Sequence, residues 1–326
     1  MDFIIVGAGA VGAVVGTLLE HSGHTVRYWA RAGQSRSTAA FEIERDGGAR
    51  LRSQPLQWID AQTSPMPHSD WVLICVRTEQ LSAALASVVE HLGADRAVAV
   101  GTVTLDGSLE AARNAGVRGP VLAFHVSFGS GFVADDPRRL AWFPFTPPST
   151  ISAEGQTPLR AAARTLAAEL ARAGLPTSSV LDMGGMMRFM VMSNMALLPS
   201  WELCHWDIAK LAADSELRRL TARAMHETAR RFAPDGGPAR LLARLTPPAA
   251  YAFVLRILPW LMGARARKLW LIHGPKVTEQ TRYFLREVLE RAEREGAPLQ
   301  HLAQLTARWA AEVTPLQPFA ATELRA

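Results

Sequence analysis

Three groups of residues in this chain have the type and spacing to do chemistry. The first is Gly7-Ala8-Gly9-Ala10-Val11-Gly12, a G-x-G-x-x-G run set directly after the apolar stretch "FIIV" (3–6). In such a run the first glycine permits a tight turn, the second lets backbone approach a diphosphate, and the third lets a helix pack closely on the preceding strand. The helix that follows turns its free N–H groups and positive dipole end toward phosphate oxygens. The chemistry is dinucleotide binding, with a ligand-free glycine turn as the plain alternative. The second group is basic. Arg31 and Arg36, with Ser35 between them, follow the stretch "TVRYWA" (25–30), and Arg77 follows "DWVLICV" (70–76). The third is a single amide, Asn194, in the apolar run "FMVMSNMALLP" (189–199). An unpartnered amide there costs roughly 1–3 kcal/mol. Asn194 therefore either bonds to nearby backbone or is aimed at a ligand.

These residues need elements to hold them. "FIIV" reads as a buried parallel strand, the stretch after the glycine run as an apolar helix to about His21, and "TVRYWA" as the next strand, with Gly23 closing the helix. An acidic residue at the end of that second strand would bind the ribose diol of NAD; "YWARAGQSRS" has none, so Arg31 and Arg36 offer a clamp for a 2′-phosphate and NADPH is the preferred coenzyme. "LQWIDA", "DWVLICV" and "AVAVGTVT" (97–104) continue the strands. Ligands in such folds bind at the carboxyl ends of the strands. That places Arg77 beside a cofactor or substrate anion, unless it only opens a helix, and puts Thr102 at the end of its strand. The segment 121–152 reads as β-ribbon broken by Gly and Pro, and an apolar helix follows it. From about Met183 the strands stop, and helices are expected over 185–198, 209–232, 247–262 and 277–296. The reading is an α/β Rossmann-type N-terminal domain over residues 1–182 plus an all-helical C-terminal domain over 183–326.

Composition narrows the classes further. The chain has 326 residues, 48% of them hydrophobic and 20% charged, as in ordinary globular proteins. Its net charge is +5 and its basic residues are nearly all arginine, with lysine only at Lys210, Lys268 and Lys276. That balance suits an anionic small molecule. It excludes a nucleic-acid surface, because no basic stripe with interleaved aromatics is present. Cys75 and Cys204 have no metal-ligand spacing, so no metal site is expected and the cytoplasm is the natural compartment. The apolar N-terminus lacks a basic region and a cleavage site. "FVLRILPWLMGA" (253–264) is interrupted and too short to span a bilayer. It reads as a core or interface helix, and "LRILPWLMG" within it is a seam for a homodimer.

Taken together, "IIVGAGAVG", the strand "VLICVR" with its basic end, the mid-chain N-x-x-x-x-P helix and the late "E…REGAPL" segment resemble the ketopantoate reductase (2-dehydropantoate 2-reductase) family in order and over nearly the whole chain. The resemblance implies a Rossmann domain, a helical domain like that of 6-phosphogluconate dehydrogenase, and NADPH-dependent reduction of a 2-oxo acid. It matches Asn194 and Pro199 to the family's substrate-facing asparagine and its proline, and sets Glu279, in a register uncertain by about one residue, near a glutamate that binds a substrate hydroxyl. It also makes Arg77 the replacement for a family lysine. Two positions depart. The family's catalytic lysine falls at Met190, and its strand-end asparagine falls near Gly101 or Thr102. Methionine has no proton to give.

Substitutes for that lysine are Arg188, which needs a distorted helix to face the same way, and His125 after the strand "VLAF"; His205 is a third. Each histidine has an ordinary structural role open to it as well. His273 and Glu279 are six residues apart and are not paired; Glu202 is expected to cap or bond locally. Arg265, Arg267 or Lys268 either holds a substrate carboxylate or lies on a solvated face. Met186, Met187, Met190 and Met192 give an apolar lining or plain core. Two functions from different classes follow. One is an NADPH-dependent reductase of a carbonyl or imine, specialised in a biosynthesis. The other is a nucleotide-binding protein without net redox chemistry: an isomerase, cyclase, sensor or scaffold.

Overall fold

Strand β1 (Asp2–Val6) carries the apolar run, and Phe3, Ile4, Ile5 and Val6 are all buried. Side chains alternate along a strand. Phe3 and Ile5 therefore share one core with Ala13, Val14 and Leu18 of helix α1 (Ala10–His21), while Ile4 and Val6 share the opposite core with Leu81 and Leu85 of α2 (Leu81–Ser87) and Ala112 of α3 (Ser108–Asn114). Helix α4 (Arg160–Arg172) joins the first core through Leu166 and Leu170. A strand covered on both faces needs the continuous apolar run that the sequence has. The computed structural model describes residues 1–30, 37–45, 48–60, 63, 65–102, 107–133, 136, 138–144, 148–181, 195–232, 241 and 243–313, the side chains of 264–266, 268, 269, 272, 273 and 276 excepted.

β1 lies between β2 (Thr25–Trp29) and β6 (Trp71–Ile74), parallel to both, with Val6 level with Trp29 and Ile74. Adding β5 (Trp58–Ile59), β7 (Val98–Val100), β8 (Val121–His125), β11 (Ser149–Ser152) and β12 (Thr177–Val180) gives an eight-stranded sheet in the order β12-β11-β8-β7-β6-β1-β2-β5. Its neighbours are parallel except β8 and β11. The strand order reverses at β1, so the crevice outside β1 and β6 is the switch point where such sheets bind ligands.

A four-stranded sheet, absent from the sequence reading, combines β3 (Glu42–Arg45), β4 (Arg50–Arg52), β9 (Phe128–Phe132) and β10 (Arg139–Pro144) in the order β4-β3-β10-β9. The ribbon expected over 121–152 is thereby corrected. β8 and β11 belong to the main sheet, and β9 and β10 leave it because Phe128, Leu140 and Trp142 bury in the α1 core together with Ile43.

The chain divides into Met1–Gly184 and Gly185–Ala326. The described part of the second unit is helical: α5 (Leu197–Leu203), α6 (Ile208–Ala213), α7 (Ser215–Phe232), α8 (Pro248–Arg294) and α9 (Gln300–Glu312). Two expectations are corrected. The helix over 209–232 is broken at Asp214, whose backbone is extended and whose carboxylate accepts from the N–H groups of Glu216 (3.0 Å) and Leu217 (2.9 Å), capping α7. α8 is two helices meeting at a kink at Gly263 (φ 66°, ψ 169°): the first ends where the helix expected over 247–262 ends, and the second starts there rather than at 277 and runs to Arg294. No helix among the described residues is long and apolar enough to cross a membrane.

Candidate functional site

The glycine turn shows which of its glycines the protein itself requires. A Cβ on Gly7, which has φ +103°, would lie 2.5 Å from the Cys75 carbonyl oxygen. One on Gly12 would lie 2.0 Å from the Gly7 oxygen. Both must be glycine for β1, α1 and the end of β6 to meet. Gly9 is different: a Cβ there would meet nothing within 4 Å. Its missing side chain faces open space beside the start of α1. Gly9 is also the N-cap, it has no side chain to cap with, and the first turn of α1 has no acidic residue. The opening N–H groups of a helix have no intrahelical acceptor. A diphosphate fits this cradle on both counts, as an acceptor for those donors and as an anion at the positive end of the helix.

Val76 and Thr102 extend the rim. The Thr102 hydroxyl is buried and donates to the Val76 carbonyl (2.7 Å), and the Gly101 N–H donates to the Ile74 carbonyl (2.8 Å). These bonds lock the carboxyl ends of β6 and β7 together. Arg77 follows in extended backbone, about half exposed, with its Nε 2.9 Å from a carboxylate oxygen of Glu79. Sequence reading missed that partner, which takes up part of the charge offered to an anion. His125 ends β8 opposite Thr150 of β11 and is half-buried. Burial holds its imidazole below the usual 6.5, so at neutral pH it is uncharged and has no spare proton.

In the helical unit, Glu202 departs from the local role expected of it. It is 3% exposed and accepts from the Thr278 hydroxyl of α8 (2.9 Å) and the Trp309 indole N–H of α9 (3.0 Å). Burial pushes its carboxyl above the usual 4.5, against the pull of those two donors. A lone acid in the apolar stretch "LLPSWELCHW" was the sequence signal for it. Glu227 of α7 caps α9, accepting from the N–H groups of His301 (2.9 Å) and Leu302 (3.3 Å). Glu279 is exposed, and its carboxylate lies 3.4 Å from Nη1 of Arg282, whose guanidinium covers the Trp309 ring (5.1 Å). His205 and Arg267 are exposed, and His205 has a left-handed backbone (φ 53°). No metal-ligating cluster is found among the described residues.

Residues 3–135 match the family described as Ketopantoate reductase PanE/ApbA. This segment is a domain of that family. A curated 2-dehydropantoate 2-reductase of Vibrio cholerae serotype O1 is 30% identical over 92 residues, 28% of this chain and 28% of that protein's length. Solved structures share the fold over nearly the full length. The ternary structure of D-mandelate dehydrogenase with NADH and anilino(oxo)acetate has a TM-score of 0.72 at 15% identity, covering 96% of this chain and 98% of that one. The 2-dehydropantoate 2-reductases of Geobacter metallireducens GS-15 (TM-score 0.66, 17% identity, 96% and 100% covered) and Methylococcus capsulatus (0.67, 16%, 95% and 96%) follow the same path.

The structure brings Gly7, Gly9, Gly12, Ala8, Ala10, Val11, Arg77 and Thr102 to the carboxyl ends of β1, β6 and β7. Pro199 is buried in α5. Arg31, Ser35, Arg36, Met186, Met187, Arg188, Met190, Met192 and Asn194 lie outside the described residues, as do the side chains of Arg265, Lys268 and His273.

Proposed function

We propose that the protein is an NADPH-dependent reductase of a carbonyl in a 2-oxo-acid-like substrate, or of an imine, acting in a specialised biosynthesis. One observation carries this reading: an uncapped helix N-terminus beside a glycine whose missing side chain faces open space, at the switch point of a parallel sheet. The relatives support the substrate class, since 2-dehydropantoate and anilino(oxo)acetate each carry a carbonyl beside a carboxylate.

The N–H groups of Ala10, Val11 and Gly12 hold the diphosphate, with Gly7, Ala8 and Gly9 shaping the turn. Arg31 and Arg36 hold the 2′-phosphate; an NADH enzyme has an acidic residue there instead. Arg77 and Thr102 border the site, Arg77 attracting an anionic group. The reduced nicotinamide, when bound, supplies hydride. Asn194 orients the substrate and Glu279 binds one of its polar groups. Either Arg188 stabilises the developing oxyanion, or His125 hands over a proton once acid has charged it. The two buried, unpaired cysteines accord with a cytoplasmic setting.

Met190, at the family's lysine position, favours a second reading in which the dinucleotide is bound without net redox chemistry. NADPH oxidation measured over a panel of 2-oxo acids and cyclic imines separates the two. Turnover with any of them supports the reductase. Tight NADPH binding with none supports an isomerase, cyclase, sensor or scaffold. Failure to bind removes both.

A further inference from the structure

Glu202, Thr278, Trp309 and Arg282 close a ring around Glu279 in the helical unit. Glu202 of α5 is buried, and each of its carboxyl oxygens takes one donor: Oε1 the Thr278 hydroxyl (2.9 Å) and Oε2 the Trp309 indole N–H (3.0 Å). Trp309 of α9 is itself buried, so that bond fixes the plane of its ring. The guanidinium of Arg282 lies over the ring, 5.1 Å from its centroid. Nη1 of Arg282 is 3.4 Å from Oε1 of Glu279, and Glu279 follows Thr278 in the chain.

We propose, resting on the substrate contact given to Glu279 above, that Glu202 is a positioning residue for Glu279. It sets Trp309 and Thr278, Trp309 sets Arg282, and Arg282 and Thr278 hold the Glu279 carboxylate where a polar group of the substrate meets it. An exposed ion pair alone holds its partners weakly, because both side chains stay free to rotate. The Glu279 side chain is 64% exposed, so the order of its carboxylate depends on how well Arg282 is held. A guanidinium seated on an indole face is attracted to it and loses much of that freedom. The seat lasts only while the indole keeps its orientation, and Glu202 is the acceptor that keeps it. After burial and the two donors, Arg282 and Glu279 are the charges that move the Glu202 carboxyl, the first downward and the second upward. The ring is therefore linked electrically as well as by contact. An apolar residue at 202 would close α5, α8 and α9 at lower cost, since a carboxyl is expensive to bury. It could neither orient the indole nor hold the Thr278 hydroxyl, so the acid is explained by what it positions.

Calorimetric titration of 2-dehydropantoate into the full chain saturated with NADP⁺ tests this, because that pair has no hydride to transfer and the readout is binding alone. Glu202→Gln keeps the size of the side chain and loses one acceptor; Thr278→Val keeps the shape and loses the donor. Each is expected to weaken the oxo acid about fivefold with stoichiometry and NADP⁺ affinity unchanged, and Thr278→Ser, which returns the hydroxyl, to restore wild-type binding. Partial unfolding would instead lower the stoichiometry and leave the dissociation constant alone. In a Glu279→Ala background, Glu202→Gln is expected to have no further effect. An unchanged dissociation constant in Glu202→Gln, a loss of stoichiometry only, or an effect that adds to that of Glu279→Ala overturns the proposal. A wild type that does not bind the oxo acid, or a Glu279→Ala protein that binds it as tightly as wild type, overturns the substrate contact of Glu279 and the proposal with it.

Discussion

The two units treat their buried polar groups in opposite ways. In the first, the turn from β1 into α1 opens a helix with no side-chain cap among the described residues and sets a glycine next to open space. In the second, several buried polar groups pair with one another, with the buried Trp206 indole N–H an exception that has no acceptor among the described residues. Glu202 takes Thr278 and Trp309, Glu227 takes the start of α9, and the buried Thr221 hydroxyl donates to Ser200 (2.7 Å). The difference teaches where to look for ligands. Buried groups that pair with one another hold a unit together, whereas helix donors with no capping side chain beside open space are placed for an outside acceptor.

Substitutions in the glycine turn should break the comparison most strongly if it is wrong. Gly12→Val puts a Cβ 2.0 Å from the Gly7 oxygen and is expected to lower stability by about 3 kcal/mol or more and NADPH affinity at least about 100-fold. The Cβ of Gly9→Val meets nothing within 4 Å, so the melting temperature should stay within about 2 °C of wild type while affinity falls more than about tenfold. Thermal unfolding beside a coenzyme titration reads both, and equal destabilisation by the two would erase the distinction between the glycines.

Glu202→Ala should do the reverse. It strands two donors and is expected to cost about 2–4 kcal/mol in denaturant unfolding with NADPH affinity unchanged. The pH dependence has a definite sign. Glu202 is raised above its unfolded value of 4.5, so the folded state keeps a proton that the unfolded state releases. The contribution of that protonated carboxyl is full below about 4.5 and is lost as pH rises through the raised folded value. Glu202→Gln should therefore flatten the fall in stability that begins above about pH 4.5; an unchanged slope would show that the carboxyl is not perturbed.

Two smaller effects sharpen the catalytic side. Met190→Lys restores the proton donor implied by the family resemblance and is expected to raise turnover of a 2-oxo acid about tenfold or more. Without it, any proton supplied by His125 limits the reaction to pH below 6.5, and His125→Asn should remove that acid limb from the rate profile. Glu279→Ala, at an exposed ion pair, should change stability by less than about 0.5 kcal/mol. A rise in KM of several-fold would place the carboxylate at the substrate, and an unchanged KM would leave it as a partner of Arg282 alone.

Legibility followed sequence distance. β1, the glycine turn and α1 lie within twenty-one residues, and each is specified locally: an apolar run for a doubly covered strand, glycine for a positive φ, a helix start with no capping side chain. The four-stranded sheet was missed because β3 ("EIER") and β4 ("RLR") are short and charged, and only pairing with β10 makes them strands. The role of Glu202 was missed because its partners lie 76 and 107 residues away. The early start of the second helix of α8 was hidden by Pro275, which lies inside that helix although proline ordinarily ends one.

Fluorescence titration of the purified protein with NADPH, run alongside NADH, tests the account most directly. The account predicts saturable one-to-one binding in the micromolar range, weaker for NADH, and a loss of more than about tenfold in Gly9→Val at unchanged melting temperature. A wild-type protein that binds neither nucleotide, or a Gly9→Val protein that binds as tightly as wild type, contradicts it.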